Sequence, residues 1–106
     1  MHARVSTYEG GDPAHIDPGV LRTRRDVLPA ARELEGFRGV ISLADRETGE
    51  EMTITLWETE DAMRASEEAA NRLREQTLSE GERIASVHRY EVTMLEVEAA
   101  QPAGAG

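Results

Sequence analysis

The chain has 106 residues, 39% hydrophobic and 31% charged, with a formal net charge of −9 and no cysteine. That length suits one domain with a small core, and the mixed, well-patterned charge is not that of a disordered chain. The acidic balance argues against nucleic acid and anionic membrane as partners, and the absence of thiols excludes disulfides, thiolate nucleophiles and thiolate metal sites.

All twelve basic residues are Arg, the bias of a GC-rich bacterial genome. The N-terminal MHARVSTYEG has no apolar core of a leader peptide. No run approaches the ~20 apolar residues that span a bilayer. A cytoplasmic protein with no membrane contact is the expectation.

Ala3 to Tyr8 reads as a first strand, and Gly10-Gly11-Asp12-Pro13 as a loop. Asp17-Pro18 has the form of an N-cap followed by Pro in the first turn, where its missing N–H costs nothing. Val20, Arg24, Val27, Leu28, Ala31 and Leu34 follow at helical spacing. Pro29 interrupts them and predicts a kink or break, because it cannot donate to the carbonyl of Arg25. Gly36 is placed to end the helix.

Phe37, Ile41 and Leu43 share one parity of the next run. Met52, Ile54 and Leu56 share one parity of the run after it, with Thr53, Thr55 and Trp57 on the other. Both read as strands, joined by the polar Asp45–Glu50 hairpin loop. There Glu47, Glu50 and Glu51 are read as solubilising acids. Thr59 is an N-cap, and Glu60 and Asp61 sit where the helix dipole favours negative charge. The second helix is expected to bury Ala62, Ser66, Ala69, Ala70 and Leu73, with Met63 beside them. Ser79–Glu82 ends it. A long final strand lies within Ile84–Val97, and residues 98–106 read as a disordered tail behind a single domain of residues 1–97.

The order β-α-β-β-α-β predicts an α+β, ferredoxin-like antiparallel sheet with two helices on one face. Its other face would carry several large apolar residues, a patch that a soluble monomer rarely exposes. A homodimer joined through its sheet faces is therefore expected.

The segments VLPAARELEGFRG, DRETGEEMTITLWETEDAMRAS and SVHRYEV resemble the antibiotic biosynthesis monooxygenase-like domains of the dimeric α+β barrel superfamily. The likeness runs from about Ala3 to Val97. It implies a homodimer with a shared barrel and a ligand cavity in each subunit between sheet and helices. It also implies a cofactor-independent monooxygenase acting on a small aromatic, polyketide-like substrate, with no cofactor and no metal. The alternatives are a non-catalytic small-molecule-binding homodimer and, third, a haem binder. Two departures stand out. Polyketide-oxidising members carry Asn four residues before the Trp, where this chain has Thr53, and haem-degrading members draw a His ligand from the second helix, where Glu60 to Thr77 has none.

The resemblance makes Trp57 a cavity wall able to stack on an aromatic ligand, against the plain reading of a core ring. Thr53 and Thr55 share its parity and are candidate hydrogen-bond partners; Met63 and Tyr90 are expected to close the sides. His88 and Tyr90 share a parity on the last strand and are the candidate catalytic pair, able to polarise a phenol or move its proton; Tyr8 has similar standing. Arg38 and Arg89 are candidates for a carboxylate or enolate oxygen, or for surface salt bridges. His2, His15 and His88 have no ligand spacing, and no phosphate-binding loop or Ser/His/acid triad is present.

Overall fold

The computed structural model describes residues 1–98. Four strands, β1 (His2–Glu9), β2 (Phe37–Ala44), β3 (Glu51–Trp57) and β4 (Arg83–Glu91), form one antiparallel sheet in the order β2-β3-β1-β4. This is the βαββαβ, ferredoxin-like arrangement, with the helical segments over one face.

Register divides the side chains between two faces. Arg4, Ser6 and Tyr8 of β1 share the helix face with Glu51, Thr53, Thr55 and Trp57 of β3. Ala3, Val5, Ile41, Met52, Ile54 and Leu56 share the open face. The parity expected for Met52, Ile54 and Leu56 therefore holds. Phe37 departs from it: a register shift between Phe37 and Gly39 pairs Phe37 with Trp57, while Ile41 pairs with Ile54. One extra residue turns Phe37 to the helix face, since strand side chains alternate with a period of two.

The first helical segment starts before Asp17. A 3-10 turn (Pro13–His15) is capped by Asp12, whose Oδ1 accepts from the Ala14 N–H at 2.9 Å. Asp12-Pro13 does the work expected of Asp17-Pro18, and α1 (Ile16–Arg22) follows. The chain then widens into a π-helical turn (Thr23–Val27) before α2 (Leu28–Arg32). The Leu28 N–H reaches back five residues to the Thr23 carbonyl. This is the break that Pro29 requires, because the Arg25 carbonyl has no donor four residues on.

Gly36 has φ of 79°, and a Cβ there would lie 2.5 Å from the Ala62 Cβ. Only glycine allows that backbone so close to the next helix. The hairpin loop is Asp45–Glu50 as expected, its turn held by Asp45 Oδ1 accepting from the Glu47 and Thr48 N–H groups.

Thr59 Oγ1 accepts from the Ala62 N–H at 3.0 Å and starts α3 (Glu60–Ala65). The second helix is not continuous: α4 (Glu67–Thr77) begins after an interruption at Ser66. There the Met63 carbonyl accepts from Arg4 Nη2 at 2.6 Å and from Ser66 Oγ at 2.7 Å, and side-chain donors of this kind disturb the backbone ladder. β4 ends at Glu91, short of the expected strand, and Met94 and Val97 are exposed. The tail expectation lies, from residue 99 onward, outside the described residues.

Candidate functional site: the cavity under the first helix

The core between sheet and helices is closed at one end and open at the other. At the closed end Trp57 is 1% exposed. Its Nε1 donates to Thr55 Oγ1 at 2.9 Å, the Phe37 ring meets it at 5.5 Å and 72°, and the Arg4 guanidinium lies 5.4 Å from its centroid. Met63 and Arg4, also 1% exposed, fill the same end. Arg4 is held by Glu67, which in turn takes Arg89 Nη2 at 2.8 Å. The Arg89 hydrogen bonds, with help from Arg4, pull the Glu67 carboxyl down to about 2, although its partial burial opposes this.

At the other end an open cleft of about 620 Å³ runs between the first helical segment and the edge strand β2. Val20, Leu28, Phe37 and Val40 make its apolar walls. Thr23, Leu28, Phe37 and Val40 also line an inner chamber of about 90 Å³, which Tyr8, Thr53, Thr55, Leu73 and Arg74 complete. A third recess of about 50 Å³ shares Tyr8, Thr23, Thr53 and Thr77 with the chamber, and Glu51 and Glu82 border it. The π-helical turn forms the roof, since Thr23 lines all three spaces. The volume of the cleft is within the range of small-molecule sites.

The polar groups of this system have shifted properties. Tyr8 is 6% exposed, and burial pushes its phenol up, partly offset by the nearby Arg74 cation and by hydrogen bonds with Thr53 and Ser6. Burial together with the adjoining Glu82 carboxyl raises Glu51 to about 7, against the pull of Arg22. Two carboxyls in contact cannot both ionise at low cost, so the Glu51 carboxyl is half protonated at about pH 7. Glu82 also accepts from the Ser79 N–H at 3.2 Å, and its Oε2 is buried without a partner.

The sequence candidates fall in three places. Thr53 and Thr55 line the inner chamber. Trp57 and Met63 are packed into the closed end and line neither the cleft, the chamber nor the recess; Trp57 stands behind Phe37, which is itself the wall. His88 and Tyr90 lie on the open face, because their partners across the ladder are Val5 and Ala3. Their rings are 6.2 Å apart, and Tyr90 is 55% exposed. They cannot close the sides of a cavity on the helix face. Arg38 and Arg89 are both in ion pairs, with Glu58 and Glu67.

Sequence reasoning missed Phe37, hidden by the bulge, and Glu51, read as a solubilising acid of the hairpin. The signal for Glu51 was present: it has the parity of Thr53, Thr55 and Trp57, which places a carboxylate on the buried face. Among the described residues no group of three or more His, Asp or Glu side chains is placed to hold a metal ion. No helix there is long and apolar enough to cross a membrane.

No family model matches the chain. The uncharacterized protein Rv2558 of Mycobacterium tuberculosis is 34% identical over 95 residues, 90% of this chain and 40% of that protein. The chain thus spans about 40% of the length of this relative. HapK from Hahella chejuensis superposes with a TM-score of 0.69 at 11% identity, over 94% of this chain and 100% of HapK. The ActVA-Orf6 monooxygenase of Streptomyces coelicolor, solved in complex with nanaomycin D, has a TM-score of 0.62 at 21% identity, over 96% of this chain and 92% of its own. The haem-degrader MhuD of Mycobacterium tuberculosis, solved with two haems in its active site, has a TM-score of 0.63 at 21% identity, over 92% of this chain and 100% of its own. Strand order, helix placement and these superpositions agree that the chain adopts the antibiotic biosynthesis monooxygenase-like fold.

Proposed function

We propose that the protein is a cofactor-independent monooxygenase for a small aromatic, polyketide-like substrate bound under the first helix. The observation that carries this reading is the convergence of Tyr8 and the Glu51–Glu82 pair on one recess beneath a cleft with apolar walls. An aromatic ring system fits between Leu28, Phe37 and Val40. The Glu51 carboxylate, raised to about 7, accepts a proton from an activated phenol or anthrone at neutral pH. Tyr8, kept protonated by its raised pKa, donates to the oxygen on which the negative charge develops. The substrate anion then passes an electron to dioxygen, the radical pair joins as a hydroperoxide on the ring carbon, and loss of water leaves the quinone. One oxygen atom becomes the new carbonyl, the other leaves as water with the two hydrogens that carbon carried, and the substrate supplies all four electrons. The protein's part is to deprotonate, to hold and to exclude water.

Haem fits this chain poorly. Among the described residues no histidine lines the cleft, the chamber or the recess, so the protein offers no imidazole to the iron there. We also propose a homodimer formed through the open sheet face, where Ile41 is 40% and Leu43 50% exposed.

The test is oxygen uptake by the purified protein with a panel of phenols and anthrones, in the presence of a chelator. Uptake above the uncatalysed rate supports the enzyme. Saturable binding of the same compounds without uptake would replace it with a binding protein, and haemin that produces a Soret shift on addition would restore the haem reading.

A further inference from the structure

The charged lining of the cleft is cationic. Of the twelve arginines, eight (4, 25, 38, 46, 64, 72, 83 and 89) are in ion pairs with carboxylates among the described residues. That leaves Arg22, Arg24, Arg32 and Arg74. All four lie at this one cavity system: Arg24 and Arg32 line the cleft, Arg74 lines the chamber, and Arg22 faces Glu51 at the recess. Arg22 and Arg74 are engaged locally, donating to the Thr77 carbonyl and to Asn71 Oδ1. Arg24 and Arg32 have no carboxylate and no hydrogen-bond acceptor among the described residues. They sit eight positions apart on the same helical segment and face the same cleft.

Every charged residue lining that cleft is an arginine, Arg38 being the third and already tied to Glu58. In a chain with 21 acids and a net charge of −9, a cleft whose lining includes no carboxylate among the described residues is a specific arrangement. Guanidinium groups recognise planar oxyanions through paired N–H donors. We propose that the ligand of this cleft carries a carboxylate, held at the mouth by Arg24 and Arg32, with its aromatic body between Leu28 and Phe37 and its ionisable hydroxyl directed at Tyr8. The ligand class is a hydroxyaryl carboxylate. This rests on the reading of the cleft as an aromatic-ligand site and adds the anionic end.

The experiment is calorimetric titration with anthraquinone-2-carboxylate and with the neutral anthraquinone-2-carboxamide, at about 0.05 M and about 0.5 M salt. The carboxylate is expected to bind roughly tenfold or more tighter than the amide, with the preference shrinking at high salt. The Arg24→Gln/Arg32→Gln double variant should lose that preference and leave amide affinity unchanged. Both side chains are exposed, so a matching thermal melt is expected and verifies the fold. Equal affinity for the two probes, or a preference that survives in the double variant, overturns the anion site and leaves the aromatic cavity standing. Failure of both probes to bind overturns both.

Discussion

The Phe37 ring meets the Trp57 ring edge-on, 5.5 Å between centroids at 72°, and so separates the chain's single Trp from the open cleft. Phe37 lines the cleft and the inner chamber, and Trp57 is the packing that holds it in place. Trp57→Ala should therefore cost ~3–5 kcal/mol of stability, the range for emptying a large aromatic site, read from urea unfolding. Phe37→Ala should weaken aromatic ligands much more than Trp57→Phe does. Equal effects of the two on affinity would return Trp57 to the binding surface.

Glu51 makes stability depend on pH with a definite sign. The folded pKa of Glu51, about 7, is above the ordinary 4.5. The native state therefore holds a proton that the unfolded state has lost, and the stabilisation present below 4.5 is lost as pH rises to about 7. Glu51→Gln removes the like-charge contact. It should melt higher than the parent at pH 8 and lose that advantage at pH 4, while substrate-dependent oxygen uptake falls about a hundredfold or more. Uptake that is unchanged in the variant would remove Glu51 from the chemistry.

Glu67 works in the opposite direction. Its folded pKa of about 2 is below the ordinary 4.5, so its contribution is present above 4.5 and lost as pH falls toward 2. Glu67→Gln strands Arg4, which is 1% exposed. The cost should be about 3 kcal/mol at pH 7, the low end for a broken buried pair because Glu67 itself is partly open. The variant and parent should converge in stability near pH 2; a gap that persists there would mean that packing, not charge, is what Glu67 supplies.

Ile54 tests the proposed homodimer. It sits mid-strand on the open face between Val5 and Ile41. Ile54→Asp would bury a charge between two sheets at a cost of several kcal/mol, giving a species of one-chain mass by light scattering. The parent should show a melting temperature that rises with concentration. A parent that is already one chain at micromolar concentration, with normal stability, would remove the dimer.

The sequence by itself determined what depends on neighbours along the chain. Alternation through Met52–Trp57 separated the face of Ile54 from that of Thr53 and Thr55. The Thr59 cap located the second helix, and the missing N–H of Pro29 located the irregularity in the first. These are properties of one or two turns of backbone, so residue types reveal them directly. Only the tertiary structure decided which residues line the cavity. A one-residue bulge beside Arg38 turned Phe37 to the opposite face from Ile41, and local periodicity carries no mark of where such a residue is inserted. Glu51 and Glu82 are 31 positions apart, and the Glu51 carboxyl is raised only when the fold buries it against Glu82. Arg24 and Arg32 become the cations of a pocket mouth because the fold lays the first helical segment along β2 with no acid lining the cleft between them. Contact between distant segments, and the burial that goes with it, sets the charge and pKa of a site.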